Sequence, residues 1–156
     1  MMFQLSDLFQ DADEDKGIQF FSEDVSFELE DPPRIQQWIS QVVALEKKQL
    51  QLINYVFCSD TYLHHLNVEY LDHDTLTDII TFQYSPLPTV EGDIFISIDR
   101  IRENAEAFGV TFLQELYRVM VHGALHLCGY GDKTPEEKKI MTQKENEALA
   151  MLKKEV

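Results

Sequence analysis

The segment Val119–Cys128, VMVHGALHLC, constrains this chain more than any other stretch. It is apolar almost all round, the mark of a buried helix. It nevertheless carries two histidines, His122 and His126. Four positions apart, they share one helical face, one turn apart, and both can reach a single point. A buried imidazole needs partners for both ring nitrogens. One shared cation satisfies a nitrogen of each; two separately satisfied core histidines are the plainer alternative. Gly123 between them costs a helix interior about 1 kcal/mol relative to alanine. A close backbone approach is the expected compensation.

A metal needs a third protein donor. Cys128 lies two residues past His126, roughly 200° around the helix at ~100° per residue, so it points away. Gly129 lets the chain reverse, and Asp132 follows in a turn that can return over the histidine face. Two histidines, one carboxylate and an open position make a catalytic arrangement, whereas structural zinc sites fill all four positions. An ordinary turn aspartate is the bland reading of Asp132.

The surrounding chain reads as one α/β (α+β) domain over residues 1–156, with an acidic, mobile start at 1–16. Val25, Phe27 and Leu29 alternate with polar residues, so either Ile18–Phe21 or Val25–Leu29 supplies a first strand. Asp31 is expected to cap a helix with Pro32 at its first position. Ile53–Cys58 reads as the next strand, and strand–helix–strand of these lengths implies a right-handed crossover and a parallel pair. A short helix from Ser59 or Asp60 follows. Strands Ile79–Tyr84 and Asp93–Ile98 are too closely connected for a crossover and should form an antiparallel hairpin. The sheet is then small and mixed, with about four strands. The last third reads as helical: Asp99 capping a helix that Gly109 ends, a capping box at Thr111–Gln114, and a second at Thr134–Glu137.

Charge narrows the function. The chain has 28 acidic and 13 basic residues, and ten of the acids lie within residues 1–31 against the single base Lys16. A net charge of −15 argues against sequence-blind nucleic-acid binding through a broad basic face. Arg100, Arg102, Arg118, Lys47 and Lys48 are the only obvious sources of phosphate contacts. No apolar run approaches the roughly 18 residues of a membrane span. The opening MMFQLSDLFQDADED lacks the pattern of a secretory signal, and two cysteines, Cys58 and Cys128, fit a reducing setting. A cytoplasmic location is the expectation.

Three motifs carry a resemblance. HGALHLCGYGD at 122–132 is similar to the metal signature of the YbeY family of rRNA-maturation endoribonucleases, histidine-Gly-x-Leu-histidine-Leu-x-Gly-Tyr-Asp-histidine. LNVEYLDHDTLTDIITFQY at 66–84 resembles that family's Leu-Asn…Thr-Asp-x-x-Ser/Thr-Phe segment, and GDIFIS at 92–97 its Gly-Asp-Ile strand. They occur in the family's order. The resemblance implies a metal-dependent endoribonuclease that cuts single-stranded RNA in ribosomal RNA maturation and ribosome assembly. Its partners are then ribosomal RNA or pre-ribosomal particles and ribosomal proteins, with neither membrane nor DNA.

Two departures stand out. The family's third metal histidine falls on Asp132, so the metal set becomes His122, His126 and Asp132, and a divalent ion there keeps a net charge near +1 instead of +2. Zn2+ suits these donors best, though nickel or iron also accepts them. The family's common arginine after the upstream tyrosine is Leu71 here, and His73 is the candidate to replace that phosphate contact. Asp78 is the candidate general base. The glutamate that metalloproteases place after the first histidine is absent, because Gly123 stands there. A hydrolase of another substrate, such as a peptide, and a non-catalytic assembly factor stabilised by metal are the rival functions.

Overall fold

Pairing settles which of the two candidate stretches is the first strand. In the computed structural model, which describes residues 17–72 and 77–154, β1 is Gly17–Ser22. It runs parallel to the middle of β2 (Gln49–Cys58), with Gly17 opposite Leu52 and Ser22 opposite Phe57. Val25 and Phe27 pack against the core without joining the sheet. The expected mobile start at 1–16 and the candidate His73 lie outside the described residues.

Between these strands runs α1 (Pro32–Leu45), whose Ile35, Trp38, Ile39, Val42 and Val43 are buried at helical spacing. Asp31 precedes it, but its backbone is left-handed (φ 49°) and its side chain makes no capping bond. Pro33 at the second helical position has no N–H, which removes one of the two donors a capping side chain uses. The carbonyl of Asp31 instead accepts from Arg34 N at 3.1 Å.

α2 (Asp60–Leu71) follows β2, then β3 (Ile79–Gln83) and β4 (Thr89–Ser97). The sheet order is β1-β2-β4-β3. β2 and β4 are parallel, and β3 and β4 form the antiparallel pair. Both β2 and β4 begin four residues before the apolar runs that reveal them in the sequence. Their lower ends pair with each other from Gln49↔Thr89 onward, and polar alternation hides them from an apolar pattern.

The C-terminal third is helical: α3 (Ile98–Phe108), α4 (Phe112–Leu127) and α5 (Pro135–Lys154). The cap of α3 is Ser97, whose Oγ accepts from Arg100 N at 3.1 Å. Asp99, expected in that role, lies inside the first turn and accepts from Asp60 N at 3.0 Å. Both capping boxes form. Thr111 exchanges bonds with Gln114, and Thr134 with Glu137.

One face of the sheet packs against α1, α4 and α5, the other against α2. Two buried hydrogen bonds fix the thicker layer. Tyr55 Oη donates to the Met120 carbonyl at 2.7 Å, tying sheet to α4. Trp38 Nε1 donates to the Ala148 carbonyl at 2.8 Å, tying α1 to α5. No described helix is long and apolar enough to cross a membrane.

Candidate metal centre

α4 carries His122 and His126 with their rings edge to face, centroids 4.5 Å apart. The helix stops at Cys128, and Gly129 takes a left-handed φ of 110° that turns the chain back. Asp132 thereby returns over the histidine face. Its Oδ2 lies 3.3 Å from His122 Nε2 and 3.2 Å from His126 Nε2. One donor atom from each of the three residues lies within 4.8 Å of the others.

The far side of each ring fixes what faces that point. His126 Nδ1 lies 2.8 Å from the Tyr130 carbonyl. A carbonyl only accepts, so Nδ1 carries the proton, and a neutral His126 presents a bare Nε2 lone pair to the Asp132 carboxylate. His122 Nδ1 lies 2.6 Å from Glu145 Oε2, with the same consequence. In the neutral form that binds metal, the two rings set bare nitrogens against a carboxylate oxygen, with no positive charge between them unless a cation takes the place of the proton. Donors about 2.0–2.2 Å from a tetrahedral zinc stand roughly 3.2–3.5 Å apart, which the two contacts to Asp132 match. The donor set fits a divalent cation.

The turn that carries Asp132 is braced from two elements, α1 and α5. Tyr130 Oη donates to Glu46 Oε1 at the end of α1, and Lys144 Nζ on α5 meets Glu46 Oε2 at 3.2 Å. Lys144 also stands over the Tyr130 ring. Gly131 is pressed on Glu137: a Cβ there would fall 2.6 Å from Glu137 Oε2.

Glu145 was not among the residues the sequence singled out. It is only 7% exposed and also accepts from Arg118 Nη1 at 2.8 Å. A signal existed: Met141, Ala148 and Leu152 form a buried stripe on α5, and Glu145 falls on that stripe at helical spacing. Glu115, buried on α4, was missed as well.

Asp78 enters β3, its backbone carbonyl accepting from Ser97 N at 3.0 Å and its Oδ2 from Asn104 Nδ2 at 3.3 Å. Burial pushes its carboxyl up, against the pull of its own backbone N–H, His122 and Arg100, while Asp132 adds to the rise. Glu115 is raised by burial and by Asp78. Asp93 is elsewhere: it alternates with Ile94, so it sits on the face away from α4, bonded to Tyr84 and Asn54. Cys128 is buried, its thiol pushed up to about 11 by burial first and Glu46 second.

Two of the three arginines expected to serve phosphate are ion-paired within the protein. Arg100 pairs with Asp60 and Glu103, and Arg118 with Glu145 and Asn146. Arg102 lies over the Phe112 ring. Leu71 is exposed at the end of α2.

The family model described as Endoribonuclease YbeY matches residues 19–153. The chain belongs to the YbeY family. An Endoribonuclease YbeY of Flavobacterium johnsoniae is 47% identical over 131 residues, covering 84% of this chain and 94% of the relative. That of Bacteroides thetaiotaomicron is 52% identical over 115 residues, covering 74% and 84%. A solution structure of a Thermotoga maritima protein shares the fold, with a TM-score of 0.62 at 24% identity, over 88% of this chain and 90% of that one. In this member of the YbeY family, the helix, turn and carboxylate from His122 to Asp132 all lie inside the matched span.

Proposed function

We propose that this chain is a divalent-metal-dependent endoribonuclease that cleaves single-stranded RNA during ribosomal RNA maturation, in the cytoplasm. Membership of an endoribonuclease family supports the activity. The observation that carries the metal is the meeting of His122, His126 and Asp132 around one point. Zn2+ is the preferred ion, because two imidazoles and a carboxylate suit it, with nickel as the runner-up.

When bound, the cation supplies Lewis-acid polarisation of a phosphoryl oxygen and favours ionisation of the attacking water. The protein's residues do the rest. His122 and His126 hold their Nε2 atoms toward the reaction point, each oriented through Nδ1. Asp78 takes up the proton that the attacking water gives off, burial having raised its affinity for protons above that of an ordinary aspartate. His73 supplies the phosphate contact that Leu71 cannot. With Arg100 and Arg118 ion-paired internally, the RNA is held by few charges, and pre-ribosomal particles with their proteins are the substrate form that suits an acidic chain.

The test pairs elemental analysis with cleavage assays. Purified protein should carry about one equivalent of metal per chain, and a His122→Ala, His126→Ala double variant should carry none. The loaded wild type should cut single-stranded RNA and leave peptides intact. Equal metal in both proteins removes the centre. Metal that stabilises the fold without RNA cleavage leaves an assembly factor, and peptide cleavage instead of RNA cleavage leaves a different hydrolase.

A further inference from the structure

Behind His122 stands a charged relay that the cleavage reaction itself does not call for. Glu145 Oε2 takes the ring's Nδ1 at 2.6 Å, and its Oε1 takes Arg118 Nη1 at 2.8 Å. Arg118 Nη2 continues to Asn146 Oδ1 at 2.8 Å. His126 is oriented differently, by the neutral carbonyl of Tyr130. The two histidines are therefore unequal donors: one leans on a carboxylate, the other on a peptide group.

We propose that Glu145 is a positioning residue of the metal centre, holding His122 as the Nδ1–H tautomer with Nε2 free toward Asp132, and that Arg118 limits how much negative charge Glu145 passes to the ring. The inference rests on the metal-centre reading above.

The chemistry runs through the ring. The nitrogen left to bind a metal is set by the hydrogen bond the other nitrogen makes. An unrestrained neutral imidazole favours the proton on Nε2, which would close the position facing Asp132. A carboxylate on Nδ1 reverses that choice and makes Nε2 a stronger donor. Charge then matters. Asp132 already brings the centre to a net +1 with a divalent ion. Glu145 alone would bring it to neutral and weaken its pull on a phosphate. Arg118, permanently charged, restores the +1. Arginine on the carboxylate is thus a counterweight, at the cost of some repulsion toward the cation.

A purely structural role is the rival. Arg118 and Glu145 join α4 to α5, and an ion pair that only fastens two helices predicts that losing either partner does the same harm. The positioning role predicts opposite effects on metal affinity. Removing Glu145 takes away a negative charge and the tautomer lock. Removing Arg118 takes away a positive charge and leaves the lock.

The experiment uses the full-length chain, with Zn2+ affinity read by competition against a chelator and ring tautomers read by 15N NMR of the apoprotein at alkaline pH. His122 in the wild type should appear as the Nδ1–H form. Glu145→Met, which leaves no acceptor for the ring's Nδ1–H, should weaken Zn2+ binding roughly 10- to 100-fold. Arg118→Met should bind Zn2+ as tightly as wild type or more tightly, even where its melting temperature falls. A wild-type His122 with its proton on Nε2 overturns the proposal, as does a parallel loss of affinity in both variants or an unchanged affinity in Glu145→Met. The wild-type spectrum decides the tautomer even if a variant does not fold. If wild-type protein binds no Zn2+, the metal-centre reading fails, while the spectrum still reports whether Glu145 fixes the ring.

Discussion

Gly123 lies so close to Ile94 that a Cβ on it would come within 2.9 Å of Ile94 Cγ2, and within 2.9 Å of Ile79 Cδ1 as well. The glycine between the two candidate ligands lets α4 settle onto β3 and β4. Its cost in the helix, about 1 kcal/mol against alanine, is offset by that contact.

Gly123→Ala should therefore destabilise despite the better helix former. Overpacking costs about 1–3 kcal/mol, and the helix preference returns about 1. A net loss near 1 kcal/mol lowers Tm by roughly 2–4 °C in a chain of this size. In an Ile94→Ala background, where the blocking methyl is gone, the same change should cost less. Thermal unfolding of the four proteins measures the coupling. Equal penalties in both backgrounds would show that Ile94 is not what excludes the Cβ.

Asp132 is the third donor by geometry, 3.2 and 3.3 Å from the two Nε2 atoms. Asp132→Ala should weaken metal binding by at least tenfold, about 1.4 kcal/mol. Asp132→His, the residue the family pattern carries there, should preserve or tighten it. Chelator competition reads both. No change in Asp132→Ala would mean that the turn carries no ligand.

Much of this arrangement is legible in the sequence, for physical reasons that differ by residue. His122 and His126 stand out because helical spacing is rigid over one turn. Asp132 is reachable because Gly129 marks where the helix must reverse, and the capping boxes at Thr111 and Thr134 announce helix starts through local bonds alone. Glu145 is different. Its partner His122 lies 23 positions away on another helix, and a glutamate in a helix of mixed charges looks solvated until packing buries it. Asp31 failed as a cap where Pro33 removes one of the two donors a capping side chain uses, and Asp99 lost that role to Ser97, two residues earlier. The lower ends of β2 and β4 were invisible because polar residues there are paired by the sheet, not by a pattern of their own. The coupling of Asp78 with Glu115 likewise exists only once β3 and α4 are packed.

The metal-free protein should lose stability as pH rises above 6.5. Burial works against a charged His122, but the Glu145 hydrogen bond and charge, with Asp132 and Asp78, outweigh it and raise its pKa above the ordinary 6.5. A group bound more tightly to its proton in the folded state contributes stability that is full below pH 6.5 and is lost as pH climbs through the raised value. Asp78 and Glu115, also raised, act in the same sense at lower pH. Tm measured in chelator should fall across this window, and the fall should shrink in Glu145→Gln. A Tm rising through the same range would contradict the raised histidine.

Tyr130 joins the metal turn to the body of the protein, and its loss should be felt in both stability and ligand geometry. Its hydroxyl donates to Glu46 Oε1, the carboxylate that Lys144 also holds, while its own carbonyl orients His126. Tyr130→Phe removes a hydrogen bond to a charged acceptor, worth about 1.5–3 kcal/mol, but leaves the ring under Lys144 and the carbonyl in place. Urea unfolding should show a loss in that range, with the pairing of Lys144 and Glu46 keeping it toward the lower end. Because the carbonyl remains, Zn2+ affinity should drop far less than in Asp132→Ala. Glu46→Gln, which keeps an acceptor for the hydroxyl but weakens the hold of Lys144, should give a smaller loss than Tyr130→Phe. If Tyr130→Phe instead abolishes metal binding while the protein stays folded, the hydroxyl rather than the backbone is what holds the turn over the histidines.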